Sequence, residues 1–320
     1  MAALKLFIKN YWSMDVMELV HDKGYRMYKV SEPWAPLDTY IICSKETSGV
    51  LYRPQIAGKD LQDRMEKVAE VFMDAIGRTM LKGKKASQVT ELVFLSGGLY
   101  YQLNHGFKAR YGKALPQCFL GIKRKRLGGG AFTAVATYEN FESLPDKATV
   151  MIGDTVATGA TLKVGISRLL DVFDEKKREL KDLVVCSLAC SVDGARLMKG
   201  LEVMVRRRFP GARLHLFVAE ELFHLMPDGT DLRFLYDDCV MPDEARARIL
   251  RIYGAYLGKG MKCAVFDWGT RCKNPVGHYR DFLGFTDRML GRKLDAKSRS
   301  VLEKMRAETR RALADFERPL

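Results

Sequence analysis

The stretch Thr149-Val-Met-Ile-Gly-Asp-Thr-Val-Ala-Thr-Gly-Ala-Thr-Leu162 decides the fold. Ala148 to Ile152 is a near-continuous apolar run, the pattern of a strand covered on both faces. Asp154 follows at the predicted strand tip, and a short run of small and hydroxyl residues leads into a predicted helix, Thr161 to Phe173, with Leu162, Val164, Ile166, Leu169 and Leu170 on its apolar faces. Gly159 lets the backbone turn or approach a ligand closely. Thr158 and Thr161 offer hydroxyls, and the first N–H groups of the helix lack intrahelical partners. Together these make an anion site suited to a phosphate, and Asp154 can accept hydrogen bonds from sugar hydroxyls.

The same alternation continues on either side. Asp60 to Leu81 reads as a helix, with Leu61, Met65, Val68, Val71, Phe72 and Ile76 at helical spacing and Gly83 at its end. Glu91 to Leu95 reads as a strand that runs into Ser96-Gly97-Gly98, and Tyr100 to Tyr111 as a helix. Pro116 to Ile122, Leu183 to Cys190 and Arg213 to Ala219 read as strands, and Val192 to Phe209 as a helix. This order predicts an α/β fold with a parallel sheet flanked by helices, where ligands bind beyond the carboxyl ends of the strands. Upstream, Tyr25 to Val30 and Tyr40 to Cys43 read as short strands around a Pro33 to Pro36 turn, a candidate β hood. Residues 220–290 read as less regular, and Leu294 to Phe316 as a terminal amphipathic helix. The expected organisation is an N-terminal extension over 1–55, a core over 56–245 and a C-terminal extension over 246–320.

Asp154 followed by Thr158-Gly159-Ala160-Thr161 resembles the signature with which type I phosphoribosyltransferases bind 5-phosphoribosyl-1-pyrophosphate (PRPP). The resemblance implies that family's parallel sheet with terminal additions, and transfer of phosphoribose from PRPP to a base with release of pyrophosphate and Mg²⁺ as cofactor. It implies that Asp154 contacts the ribose hydroxyls and that Thr155 and Ala157 to Thr161 wrap the 5′-phosphate. Gly153 stands where the family's first acid would be, and Ala157 where some members keep a base. By the same resemblance, Ser96, Gly97 and Gly98 hold the pyrophosphate. The segment Lys123-Arg124-Lys125-Arg126-Leu127-Gly128-Gly129-Gly130 becomes a basic flap that closes over it, with Lys123, Arg124 and Arg126 neutralising the leaving group beside catalytic Asp154. A solvated basic loop or a nucleic-acid contact is the other reading of that segment. Tyr138-Glu139-Asn140-Phe141 before Leu144-Pro145 is similar in outline to uracil phosphoribosyltransferases. For a pyrimidine-like or other nitrogen heterocycle, Phe266, Asp267 and Trp268, or Tyr236-Asp237-Asp238, are candidate contacts, against a buried aromatic with a turn aspartate. The family's glycine-rich C-terminal pattern is absent.

Charge adds a second line. The net charge of +14 attracts polyanions, whether nucleic acid, acidic membrane surfaces or polyphosphate ligands, and Arg206-Arg207-Arg208 lies outside any one loop. The alternative function is therefore a catalytically inactive PRPP- or nucleotide-sensing homologue that regulates through nucleic acid. The seven cysteines form no CxxC pair, and Cys186 and Cys190 sit in an apolar run that suits buried thiols. The five histidines show no metal-ligand spacing. No apolar run reaches the roughly 20 residues a membrane helix needs, and the first residues do not read as a signal peptide. A cytoplasmic homodimer is the expectation.

Overall fold

The computed structural model describes residues 16–21, 24–126, 132–229, 231–262 and 268–319. Its centre is a nine-stranded sheet. The strands are β1 (Val16–His21), β2 (Tyr25–Val30), β3 (Asp38–Ser44), β4 (Val89–Leu95), β5 (Gln117–Arg126), β6 (Phe132–Asn140), β7 (Lys147–Gly153), β8 (Glu179–Ser187) and β10 (Arg213–Ala219). Their spatial order is β1-β2-β3-β10-β8-β7-β4-β5-β6. Every neighbour pair from β3 to β5 is parallel, and an antiparallel hairpin extends each edge. The parallel strands are almost wholly apolar and buried, as both-sided helix cover requires.

The chain runs outward from β4 to β5 and β6, then returns to lay β7 on the other side of β4. The strand order reverses there, so β4 and β7 flank the crevice that such sheets use for ligands. The helices are α1 (Lys45–Leu51), α2 (Gly58–Thr79), α3 (Leu103–Tyr111), α4 (Ala160–Glu175), α5 (Val192–Arg208), α6 (Asp243–Gly260), α7 (Trp268–Lys273), α8 (Pro275–Leu290) and α9 (Ala296–Phe316). Gly165 of α4 lies on the rings of Phe94 and on Ile122, while α3 faces the opposite side of β4. Helices therefore cover both faces. A small second sheet joins β9 (Cys190–Ser191), β11 (Leu222–Leu225) and β12 (Leu232–Arg233).

Four expectations need correction. The N-terminal strands do not form a separate hood: β3 pairs in parallel with β10, so they continue the sheet in its own plane. Lys123 to Arg126 are not loop but the end of β5, paired with β6 from Lys123↔Val135 to Arg126↔Phe132. Tyr100 to Tyr111 is not one helix: left-handed Gln102 (φ 57°) separates a 3-10 turn, Gly97–Tyr101, from α3. Residues 220–290 carry the regular helices α6 and α8. Asn274 caps α8 by accepting from Gly277 N–H, with Pro275 in the first turn. One contiguous core runs from Tyr25 to Met305 and includes Cys186 and Cys190, both buried.

Candidate functional site

β7 delivers Asp154 to the carboxyl edge of the sheet. Its N–H donates to Cys186 O at 3.1 Å, and its carboxylate Oδ1 accepts from Thr155 N–H at 2.9 Å. The next residues are tied to β9. Val156 N–H donates to Ala189 O (2.9 Å) and Ser191 N–H to Val156 O (2.8 Å). Ser191 Oγ also donates to Ala157 O at 2.5 Å. The loop is thus fixed from behind by main-chain bonds, which leaves its other side to face solvent, where Thr158 is exposed. Gly159 is left-handed (φ 74°) and opens α4 with no side-chain cap. A Cβ there would stand 2.2 Å from Leu197 of α5, so glycine is required on both counts. An uncapped helix start beside Thr158 and Thr161 presents N–H and hydroxyl donors together, the arrangement that holds a phosphate.

The second loop follows β4. Ser96, Gly97 and Gly98 lead into the 3-10 turn, and the Leu95–Ser96 peptide is cis. A Cβ on Gly98 would meet Gly153 O at 3.3 Å, so the two loops lie against each other. Tyr101 locks them together. Its hydroxyl is 3.0 Å from Thr155 Oγ1 and accepts from Leu188 N–H at 3.2 Å. Burial, reinforced by the nearby Asp154 charge, pushes this phenol far above its ordinary range, so it stays neutral. Tyr101 also requires glycine at 153: a side chain there would put its first carbon 2.5 Å from the Tyr101 Cβ and Cγ. Nothing in the local motif named Tyr101. The glycine at the strand tip was the signal that another side chain fills that place.

The basic residues come to the same end of the sheet. Leu95, the last residue of β4, pairs with Gly121, so β5 runs past it through Lys123, Arg124, Lys125 and Arg126 as a two-stranded arm with β6. Lys123 is exposed. Leu127 to Gly130 lie outside the described residues. On the opposite side, β11 pairs with β9 (Phe223↔Ser191), and the following turn brings Gly229 beside Thr158, whose Cγ2 would lie 3.5 Å from a Cβ at 229. Nearby, His224 stacks on Tyr236 (4.3 Å, 4°) and holds Asp238 at 2.8 Å. Of the other candidates, Phe266 and Asp267 lie outside the described residues, and Trp268 begins α7, which packs against α2 and the 97–101 turn.

No family model matches the chain, and no curated protein does. Among solved structures, a hypoxanthine phosphoribosyltransferase from Staphylococcus aureus is similar over 41% of this chain and 67% of its own, at 15% identity and a TM-score of 0.29. A hypoxanthine phosphoribosyltransferase variant from Trypanosoma cruzi, complexed with the product IMP, is similar over 60% and 91%, at 16% identity and a TM-score of 0.28. A second structure of the Trypanosoma cruzi enzyme gives 60% and 92%, at 17% identity and a TM-score of 0.28. At these scores the likeness carries no argument, and the functional reading rests on the two loops themselves.

Proposed function

We propose that the protein binds PRPP and transfers its phosphoribosyl group to a nitrogen heterocycle, releasing pyrophosphate. The observation that carries this reading is the pairing of two glycine-bearing loops at the strand-order reversal, Ser96–Gly98 and Asp154–Thr161, joined through Tyr101 and Thr155. A diphosphate and a monophosphate on one sugar ask for two such cradles side by side. Thr158, Thr161 and the start of α4 would hold the 5′-phosphate, Asp154 the ribose hydroxyls, and Ser96 to Gly98 the pyrophosphate. Lys123 would approach the leaving group from the β5–β6 arm. In the reaction the bond between C1 and the pyrophosphate oxygen breaks and its electron pair leaves with pyrophosphate. The lone pair of the acceptor nitrogen forms the new bond to C1, and that nitrogen then loses its proton. Catalysis by positioning and charge stabilisation suffices, which is consistent with alanine at 157.

Among the described residues no group of three or more His, Cys, Asp or Glu could hold a metal. The donor set therefore fits Mg²⁺ only as a companion of the pyrophosphate, with Asp154 the loop's own carboxylate, and the ion when bound would neutralise phosphate charge. A second reading is favoured by Gly153 and the +14 charge: a PRPP-sensing protein that acts through nucleic acid.

Calorimetric titration of PRPP with Mg²⁺ tests the site. Wild type should bind, and Asp154→Ala should bind at least about a hundredfold more weakly, the scale of losing charged hydrogen bonds. Equal binding by both proteins would sink the assignment. PRPP binding without pyrophosphate release on any base, together with nucleic-acid affinity that falls steeply with salt, would select the sensing reading.

A further inference from the structure

A cavity of about 460 Å³ opens between α3 and the sheet, bordered by Leu99 and Gln102 of the turn that follows the Ser96–Gly98 loop. That volume lies within the range of small-molecule sites. Its floor is unusual. Glu91 lies in mid-strand, hydrogen-bonded into the sheet between β5 and β7, and is 2% exposed. A carboxyl in that position has no structural need that an apolar residue would not serve better. Across the ladder, Gln117 donates its Nε2 to Glu91 Oε2 at 2.8 Å, so Gln117 keeps its carbonyl as an acceptor. The floor is therefore a pair of adjacent side-chain acceptors. Burial raises the Glu91 carboxyl to about 7, against the pull of Gln117, so near neutrality the carboxyl accepts and donates.

The rim is polar too. Gln102 lines it from a left-handed backbone (φ 57°), a conformation that costs energy for a residue with a side chain and collects at functional positions. Asn104 spends its carbonyl on Leu115 N–H (2.9 Å), which leaves its amide N–H₂ as donors. His105 is held by Glu70 at 3.2 Å, and Lys108 supplies an exposed cation.

We propose that this cavity is a second small-molecule site, which takes a planar amino-heterocycle with its N–H edge paired to Glu91 and Gln117. An amino group beside a ring nitrogen offers a donor and an acceptor in one plane, which matches the Glu91 carboxyl in a two-point pair. Lys108 and Asn104 at the rim would meet a polar substituent that points outward. The proposal is independent of PRPP turnover, because its readout is binding of a neutral probe.

The test titrates 2-aminopyrimidine and, separately, pyrimidine into the full chain at millimolar concentrations, followed by ligand-observed NMR. Saturable binding of 2-aminopyrimidine, with pyrimidine at least about tenfold weaker, is expected from loss of the hydrogen-bond pair. Glu91→Leu preserves bulk and removes the carboxyl, and should weaken 2-aminopyrimidine by a similar factor. Ala114→Trp, on the exposed rim, leaves the sheet untouched and should block the cavity, so a folding defect in the first variant cannot decide the matter. No binding of either probe, equal binding of both, or undiminished binding by Glu91→Leu and Ala114→Trp overturns the proposal.

Discussion

The two ends of the parallel strands solve opposite problems. At the amino end, charge is paired with charge. Arg213 grips Asp38 at 2.6 Å, His215 Nε2 is 3.1 Å from Asp182, its Nδ1 is 3.7 Å from Asp38, and Lys84 closes on Asp182. At the carboxyl end beside β4 and β7, the side chains are small and the donors are backbone N–H and hydroxyl groups. The first arrangement holds itself together; the second leaves the start of α4 without a side-chain cap, the feature on which the proposed phosphate site rests. Burial pushes the Asp38 carboxyl up, but Arg213, His215 and Lys29 outweigh it and hold it below the usual carboxylate range. Burial likewise opposes His215 and Lys84 at Asp182, and loses.

Breaking the amino end should therefore cost stability and spare ligand binding. Asp38→Ala leaves buried His215 without one of its partners, and should cost about 3 kcal/mol, the low end for breaking a buried pair because Arg213 can turn to solvent. Denaturant melts would show the loss, while PRPP affinity should match wild type. A variant that keeps its stability but loses PRPP would reverse the division of labour between the two ends. Asp154→Ala should behave as its mirror image.

A pH titration sharpens the contrast. Glu220, just beyond β10, is fully buried and has φ 63°. Burial raises its carboxyl to about 7, although Arg248 (2.8 Å), Thr47 and Ser44 N–H pull the other way. The ion pair and the raised value point in opposite directions, and the direction set by burial is the one to expect. The folded state then holds this proton more tightly than the unfolded chain. Its contribution is present below the unfolded value of about 4.5 and is lost as pH rises towards 7. At roughly 1.4 kcal/mol per unit, that is about 3 kcal/mol. The depressed Asp38 and Asp182 carboxyls act in the other sense, and their stabilisation is lost as pH falls through their folded values. Glu220→Gln should flatten the fall between pH 5 and 7 and leave the acid limb intact. An unchanged slope between those values would show that Glu220 is ionised throughout.

The parallel core was legible because its signals are local. Ala148–Ile152, Leu183–Cys186 and Leu216–Ala219 are near-continuous apolar runs, and Asp154 to Thr161 is a contiguous strand-loop-helix pattern. What escaped depends on partners distant in sequence. Lys123–Arg126 looked like loop because four cations precede glycines, yet they are strand because β6 supplies their ladder. Tyr138 and Glu139 belong to that ladder, which no turn signal announced. Tyr40–Cys43 was seen as a strand, but only β10, over 170 residues later, places it in the main sheet. The helices α6 and α8 were hidden by the glycines and aromatics within them: Gly254 has non-helical angles inside α6.

The tip of β7 offers a test of how far the site departs from an acid pair. Gly153→Asp would restore the second acid by sequence, but its Cβ would collide with the buried Tyr101 ring. Overpacking of this kind costs about 1 to 3 kcal/mol, and displacing the ring would break its contacts to Thr155 and Leu188. Thermal melting should show the loss, with no gain in PRPP affinity. Gly153→Asp combined with Tyr101→Ala removes the clash, so the double variant should lose less stability than the sum of the two single changes. Higher PRPP affinity in the single variant would mean that the Tyr101 packing is not what excludes the acid.

The smallest effect belongs to the basic arm. Lys123 is exposed at the end of the β5–β6 ribbon, so its charge acts across water and is screened by salt. Lys123→Ala should weaken PRPP by about threefold at low ionic strength, near the upper range for an exposed charge contact, and by less at high salt. The melting temperature should not move, because one exposed side chain at the end of a ribbon carries little of the fold. Titration at two salt concentrations separates this from a structural effect. A salt-independent loss would place Lys123 in direct contact with the ligand, and no loss at either concentration would make the arm a bystander to the phosphate loops rather than part of their field.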